Sequence, residues 1–149
     1  MPSFSYSSVI DAPIDVIWQF HERPDVLNVL TPSWQSVEVV RREGGLDVGA
    51  VSEFRLWFGP IPVQWLAQHI ECDRPYLFTD EQVQGPFDQW VHRHCFEALE
   101  GDRTCLTDVI TYTLPGGLVG YCLGNGYVQQ ELKRLFTYRH QVTQQLCCR

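Results

Sequence analysis

Over the first ten residues Phe4, Tyr6, Ser8 and Ile10 alternate with Ser3, Ser5, Ser7 and Val9, the two-residue period of a strand. Asp11 follows in the position of an N-cap, with Ala12 and Pro13 opening a short helix. Its apolar positions are Ile14, Val16, Ile17 and Trp18, and it ends between Phe20 and Glu22. Pro24 restarts the chain, Asp25 to Leu30 forms a second short helix, and Thr31-Pro32 stops it. From Val37 the pattern becomes that of strands: VEVVRR, VSEFRLWF, VQWLAQHIEC, YLFTDEQV, WVHRHCFEAL and TCLTDVITYTL. The turns between them carry Gly44-Gly45, Gly59-Pro60, Arg74-Pro75, Gly85-Pro86 and Gly101, so the six form an antiparallel meander.

Leu114-Pro115-Gly116-Gly117 ends the strands. From Leu118 to Leu146 the apolar residues Tyr121, Val128, Leu132, Leu135, Val142 and Leu146 recur at helical steps, the stripe of one long amphipathic helix. Gly124-Asn125-Gly126 weakens it near its start, which predicts a bend or a late beginning, or a loosened flank through which a ligand enters. A sheet with one apolar face needs a cover, and this helix is the only element long enough. The expected fold is α+β: a curved antiparallel sheet of about seven strands around a long C-terminal helix, with two short N-terminal helices closing one end.

Composition narrows the function. With 149 residues, 44% of them hydrophobic, the chain suits a single domain spanning 1–149. Five Trp, six Tyr and eight Phe against one Met point to wide, rigid interior walls. A net charge of −7 without a basic cluster sets aside nucleic acid and acidic membrane surfaces. No apolar run has the length of a signal peptide or an integral membrane segment, which predicts a cytoplasmic protein. Six cysteines without CxxC spacing read as free thiols, with a Cys147/Cys148 crosslink as the alternative.

The stretch WVHRHCF puts Trp90, His92, His94 and Phe96 on one strand face. A three-residue hairpin loop, Glu100-Gly101-Asp102, would pair Leu99 with Arg103 and set His94 opposite Asp108, Phe96 opposite Leu106, His92 opposite Ile110 and Trp90 opposite Tyr112. The preceding strand presents Phe78, Asp80 and Gln82 in the same sense. An imidazole beside a carboxylate has its tautomer fixed and can hold a ligand hydroxyl or carbonyl, shuttle a proton, or simply satisfy a buried polar pair. His92-x-His94 offers two metal ligands, but no third His or Cys stands at ligand spacing, so neither metal nor cofactor is expected. A GxSxG elbow and a phosphate-binding GxxxxGK loop are both absent. Trp57, Phe58 and Gly59-Pro60-Ile61-Pro62 suggest an apolar rim, either a cavity entrance or a contact with a partner protein or a second copy.

The stretches IDAPIDVIWQFHERPDVLNVLTP, DEQVQGPFDQWVHRHCFEAL, LTDVITYTLP and ELKRLFTYRH, in this order, resemble the START-like helix-grip superfamily in its polyketide cyclase/dehydrase and lipid-transport (SRPBCC) branch. The resemblance implies a cavity between sheet and long helix that holds a hydrophobic small molecule, with Leu132 and Leu135 on the helix side. Binding or transport of a lipid, isoprenoid, quinone or polyketide-like compound is the leading expectation. The alternatives are a cyclase/dehydratase using His92 or His94 with Asp108, and a regulatory interaction domain.

Overall fold

The computed structural model describes residues 2–148, with Phe58 described by its backbone alone. Which of Trp57 and Phe58 turns outward therefore lies outside the described residues as far as Phe58 is concerned. The elements run β1 (Ser3–Ile10), α1 (Ile14–His21), α2 (Val26–Val29), β2 (Val37–Glu43), β3 (Val51–Phe58), β4 (Ile61–Asp73), β5 (Leu77–Gln84), β6 (Gln89–Leu99), β7 (Arg103–Thr113) and α3 (Gly117–Cys147). All seven strands join one antiparallel sheet in the order β1-β7-β6-β5-β4-β3-β2. The meander is continuous, and only β1 returns from afar to lie beside the last strand.

The β6–β7 hairpin turns on Glu100-Gly101-Asp102, with Gly101 and Asp102 at φ 75° and 54°. Glycine adopts that region freely and Asp tolerates it better than most residues. Leu99 pairs with Arg103, His94 with Asp108 and Trp90 with Tyr112, the pairing expected of a three-residue loop. Register shifts between β4 and β5 leave Val83 of β5 and Ile70 of β4 unpaired, and such bulges bend strands and help the sheet curl.

Three local expectations give way to tertiary contacts. Asp11 does not cap α1: the helix starts at Ile14 behind Pro13, without a side-chain cap. The Asp11 carboxylate instead accepts from Gln144 Nε2 at 2.9 Å, and its backbone N–H donates to Gln144 Oε1 at 3.0 Å, tying the first strand's end to the last turns of α3. α3 does not begin late but runs unbroken through Gly124-Asn125-Gly126, where Asn125 accepts from the Tyr112 hydroxyl of the sheet. Nearby, Gly120 passes so close to Pro115 that a Cβ there would lie 1.8 Å from the Pro115 carbonyl oxygen, which makes glycine obligatory. The buried stripe of α3 is Leu132, Phe136, His140, Thr143 and Cys147, whereas Tyr121 and Leu146 are 45% and 54% exposed. Polar His140 and Thr143 join that stripe because each finds a partner inside, Asp108 and the Arg139 carbonyl.

α3 lies against β1 and β7 and touches α1. Two apolar clusters form beneath it. One gathers Ile17, Trp18, Phe20, Phe78, Phe96 and Leu106 under α1. The other gathers Phe4, Ile110, Tyr112, Leu132 and Phe136. Along β7 the inward positions run Leu106, Asp108, Ile110, so Asp108 falls between the two clusters.

Phe96 belongs to the first cluster, edge-on to Trp18 at 5.5 Å. Phe96→Ala should therefore cost about 3–5 kcal/mol in urea unfolding, the usual cost of emptying a large aromatic site, while ligand uptake by the folded fraction is unchanged.

Candidate functional site

The register of β5, β6 and β7 sets Asp80 beside His92, Phe78 beside His94, and His94 beside Asp108. All point to the concave face, where α3 adds His140 and β1 adds Ser8. Asp108 is the hub of the group. Its Oδ1 is 2.7 Å from His92 Nε2 and 3.2 Å from His94 Nδ1, and its Oδ2 is 2.7 Å from His140 Nε2. His94 Nε2 lies 2.9 Å from Asp80 Oδ2, and His140 Nδ1 lies 2.5 Å from the Ser8 hydroxyl.

These contacts assign the protons. A carboxylate only accepts, so Nε2 of His92 and of His140 each carry hydrogen. Nδ1 of His140 shares a hydrogen bond with the Ser8 hydroxyl. His94 faces a carboxylate through both nitrogens, which makes it an imidazolium. His92 Nδ1 is left with a lone pair and no protein partner among the described residues.

Environment separates the two stacked rings, whose centroids are only 3.6 Å apart. Burial, reinforced by the charge on His94, pushes His92 below its ordinary value and keeps it neutral. Burial also opposes charge on His94, but the contacts with Asp108 and Asp80 outweigh it and raise its pKa. Burial would raise Asp108, yet the hydrogen bonds from His140, His92 and His94 hold it well below the usual carboxylate range. Asp80 is likewise lowered, its contact with His94 overcoming burial. A neutral base and a charged acid therefore lie face to face, a separation typical of acid/base pairs.

Beside this cluster a cavity of about 350 Å³ opens between the sheet and α3. Phe54, Trp65, Phe78 and Trp90 form its sheet wall, Val128, Leu132, Leu135 and Phe136 its helix wall, and Val26 of α2 with Leu30 just after it one end. It reaches the surface beside Trp34 and Tyr127, which are 48% and 62% exposed. The wall on the α1 side carries His21 and His69, whose Nδ1 atoms bond the carbonyls of Ile17 and Leu46 at 2.8 and 3.2 Å. His69, Phe78, His94 and His92 stack in succession across β4, β5 and β6.

Of the residues the sequence singled out, Phe78, Asp80, Trp90, His92, His94, Leu132 and Leu135 line this cavity. Four others do not. Gln82 turns aside to bond the backbone of Phe87 through both its amide oxygen and nitrogen, and Phe96 is locked under Trp18. Asp108 stands behind the histidines, and the Tyr112 hydroxyl engages Asn125 and Gln129 on α3. Among the described residues of the expected rim, Trp57 and Gly59 to Pro62 do not border the cavity; Trp34 and Tyr127 occupy its mouth. All five histidines belong to this region, yet His21, His140 and Ser8 carry no role in the sequence reading. His140 follows Leu132 and Phe136, and His21 follows Ile14, Ile17 and Trp18, at helical spacing, a signal that could have found both.

Asp80, His92 and His94 bring donor atoms within 4.8 Å of one another, near enough to be tested as a metal centre. The two imidazoles are stacked at 27°, so their in-plane lone pairs run side by side instead of converging, and both His94 nitrogens already face carboxylates. The arrangement fits a proton-handling cluster better than a metal site.

The family model described as polyketide cyclase / dehydrase and lipid transport matches residues 10–127. Comparison with curated proteins finds no match. Among solved structures, a protein of Thermus thermophilus is 22% identical with a TM-score of 0.70, covering 95% of this chain and 97% of its own. The Zhui aromatase/cyclase from a Streptomyces species is 13% identical with a TM-score of 0.75, over 98% of this chain and 93% of its own. Norcoclaurine synthase from Thalictrum flavum, in complex with dopamine and hydroxybenzaldehyde, is 13% identical with a TM-score of 0.70, over 97% and 85%. At these identities the likeness is one of fold.

Burial pushes His21 down to about 4, while an unfolded imidazole titrates near 6.5. The unfolded chain therefore takes up protons first, and stability is lost as pH falls through that window; the lowered His69 and His92 act in the same direction and outnumber the raised His94, which acts in the opposite one. Urea midpoints should be lower at about pH 5 than at about pH 7, and His21→Phe should narrow the difference.

Proposed function

The chain belongs to the polyketide cyclase/dehydrase and lipid transport family, and from that premise we propose that it binds a compact hydrophobic small molecule between sheet and helix. The observation that carries this reading is the aromatic-walled cavity with a few polar groups concentrated on one side. At about 350 Å³ it stands near the lower end of the range for small-molecule sites, which favours a single-chain lipid, an isoprenoid, a quinone or a folded polyketide-like compound over a two-chain lipid. Aromatic rings hold such a ligand by area, and the imidazoles orient its oxygens.

The separation of His92 and His94 favours a second reading, acid/base catalysis of the cyclase/dehydratase kind. In a dehydration, His92 Nδ1 would take the proton from carbon beside a carbonyl while Asp108 steadies the imidazolium at Nε2. Return of that proton to the departing hydroxyl would release water and restore the neutral ring. His94, engaged at both nitrogens, would instead stabilise negative charge near its ring.

Native mass spectrometry of gently purified protein, followed by solvent extraction, tests the binding reading. An isoprenoid, fatty acid or polyketide-like compound should be released or taken up when supplied, and Leu135→Trp, which fills the cavity, should abolish uptake. A wild-type protein that neither carries nor accepts any of these would overturn it. For catalysis, dehydration of a bound aryl β-hydroxyketone should fall by about a hundredfold or more in His92→Ala while binding persists. Unchanged turnover would remove His92 from that role.

A further inference from the structure

Two arginines share the cavity wall with the aromatics, Arg42 from β2 and Arg139 from α3. Surface arginines such as Arg23, Arg55 and Arg74 sit on carboxylates. Arg42 donates through Nη2 to the His21 carbonyl at 3.0 Å. Arg139 has neither kind of partner: among the described residues no carboxylate lies within ion-pair distance, and its Nε is a buried donor without an acceptor. Its guanidinium carbon stands 5.2 Å from the centre of the Phe136 ring, on the helix wall.

Asp108 and Asp80, the acids that act on it, do not pair with it. Both oxygens of Asp108 already accept from imidazoles, and Asp80 accepts from His94. These carboxylates act on Arg139 through space only. In this half-buried cation the Nε–H is cut off from water and has no acceptor, which is costly to keep unless an oxyanion meets it. Nε–H together with an adjacent terminal N–H forms the fork that matches a carboxylate's two oxygens.

We propose that Arg139 is the anchor for a carboxylate on the ligand, so that the cavity takes an amphipathic monocarboxylic acid with its body against Trp65, Trp90 and Leu135. This rests on the reading of the cavity as a ligand site and adds the class of head group. It also places a cationic anchor inside a protein whose net charge is −7, so selection for an acid comes from the wall of the cavity and not from the overall field. Were Arg139 only a counter-charge to Asp80 and Asp108, an acid and its neutral amide would bind alike.

The test uses two matched pairs, 2-naphthoic acid with 2-naphthamide and dodecanoic acid with dodecanamide, titrated into the full chain by calorimetry at neutral pH. Each acid should bind the wild type roughly tenfold to a hundredfold more tightly than its amide, the worth of hydrogen bonding to a charged group. Arg139→Gln should bring each pair close to parity, and Arg139→Lys should keep part of the preference. Should Arg139→Gln not fold, the Arg139 Nε–H resonance of the wild type decides the matter: it should shift with the acids and not with the amides. Equal binding of acid and amide by the wild type, an intact preference in Arg139→Gln, or an unmoved resonance overturns the assignment while leaving the cavity as a binding site. Failure of all four compounds to bind the wild type would overturn the binding reading and this inference together.

Discussion

A carboxylate buried between two apolar clusters must be paired, and the pairing of Asp108 organises the rest of the molecule. Desolvation costs an ion several kcal/mol even after relaxation, and charge-assisted hydrogen bonds are the available offset. Asp108 receives them from His92, His94 and His140. Since His140 belongs to α3 and also bonds Ser8 of β1, one charge joins the middle of the sheet, its edge strand and the covering helix. The apolar clusters on either side would tolerate some sliding of α3; a hydrogen-bonded carboxylate tolerates much less, because its partners must sit at defined angles.

The same pairing explains why a cavity survives. α3 is drawn onto β1 and β7, the side of the sheet where Asp108 and Ser8 stand, so it cannot also cover β3 and β4. The sheet curls instead of lying flat, and the regular alternation of β4 turns Trp65 and His69 toward the uncovered space. Rigid rings on both walls keep that space open, since aromatic side chains have few alternative rotamers with which to collapse into it. The cavity is thus the part of the sheet that the helix could not reach.

Proximity then differentiates residues of one type. His92 and His94 are two residues apart on one strand and stacked, yet one is held neutral and the other charged, because His94 meets two carboxylates while His92 meets one and lies beside a cation. His21 and His69, each bound to a backbone carbonyl and buried, remain neutral. Arg139 lies at the edge of the same field, attracted to Asp108 and Asp80 without an ion pair to either. A wall assembled in this way offers acceptors, a cation and apolar area within one small volume.

The order of elements, the α+β helix-grip class and the β6–β7 register were legible in the residues, because alternation, Gly-Pro punctuation and a three-residue hairpin loop are local properties of the chain. Local pattern also identified the inner face that carries Trp90, His92, His94 and Asp108. It failed where a side chain had two uses open to it: Asp11 suited an N-cap but found Gln144 from the far end of the chain, and Gln82 and Phe96 had the parity of wall residues but met Phe87 and Trp18 first. Which histidine would be charged, that His140 would complete the hub, and that Arg139 would be left without a partner were decided only by packing. Protonation and pairing depend on distances between groups far apart in sequence, and no local period encodes those distances.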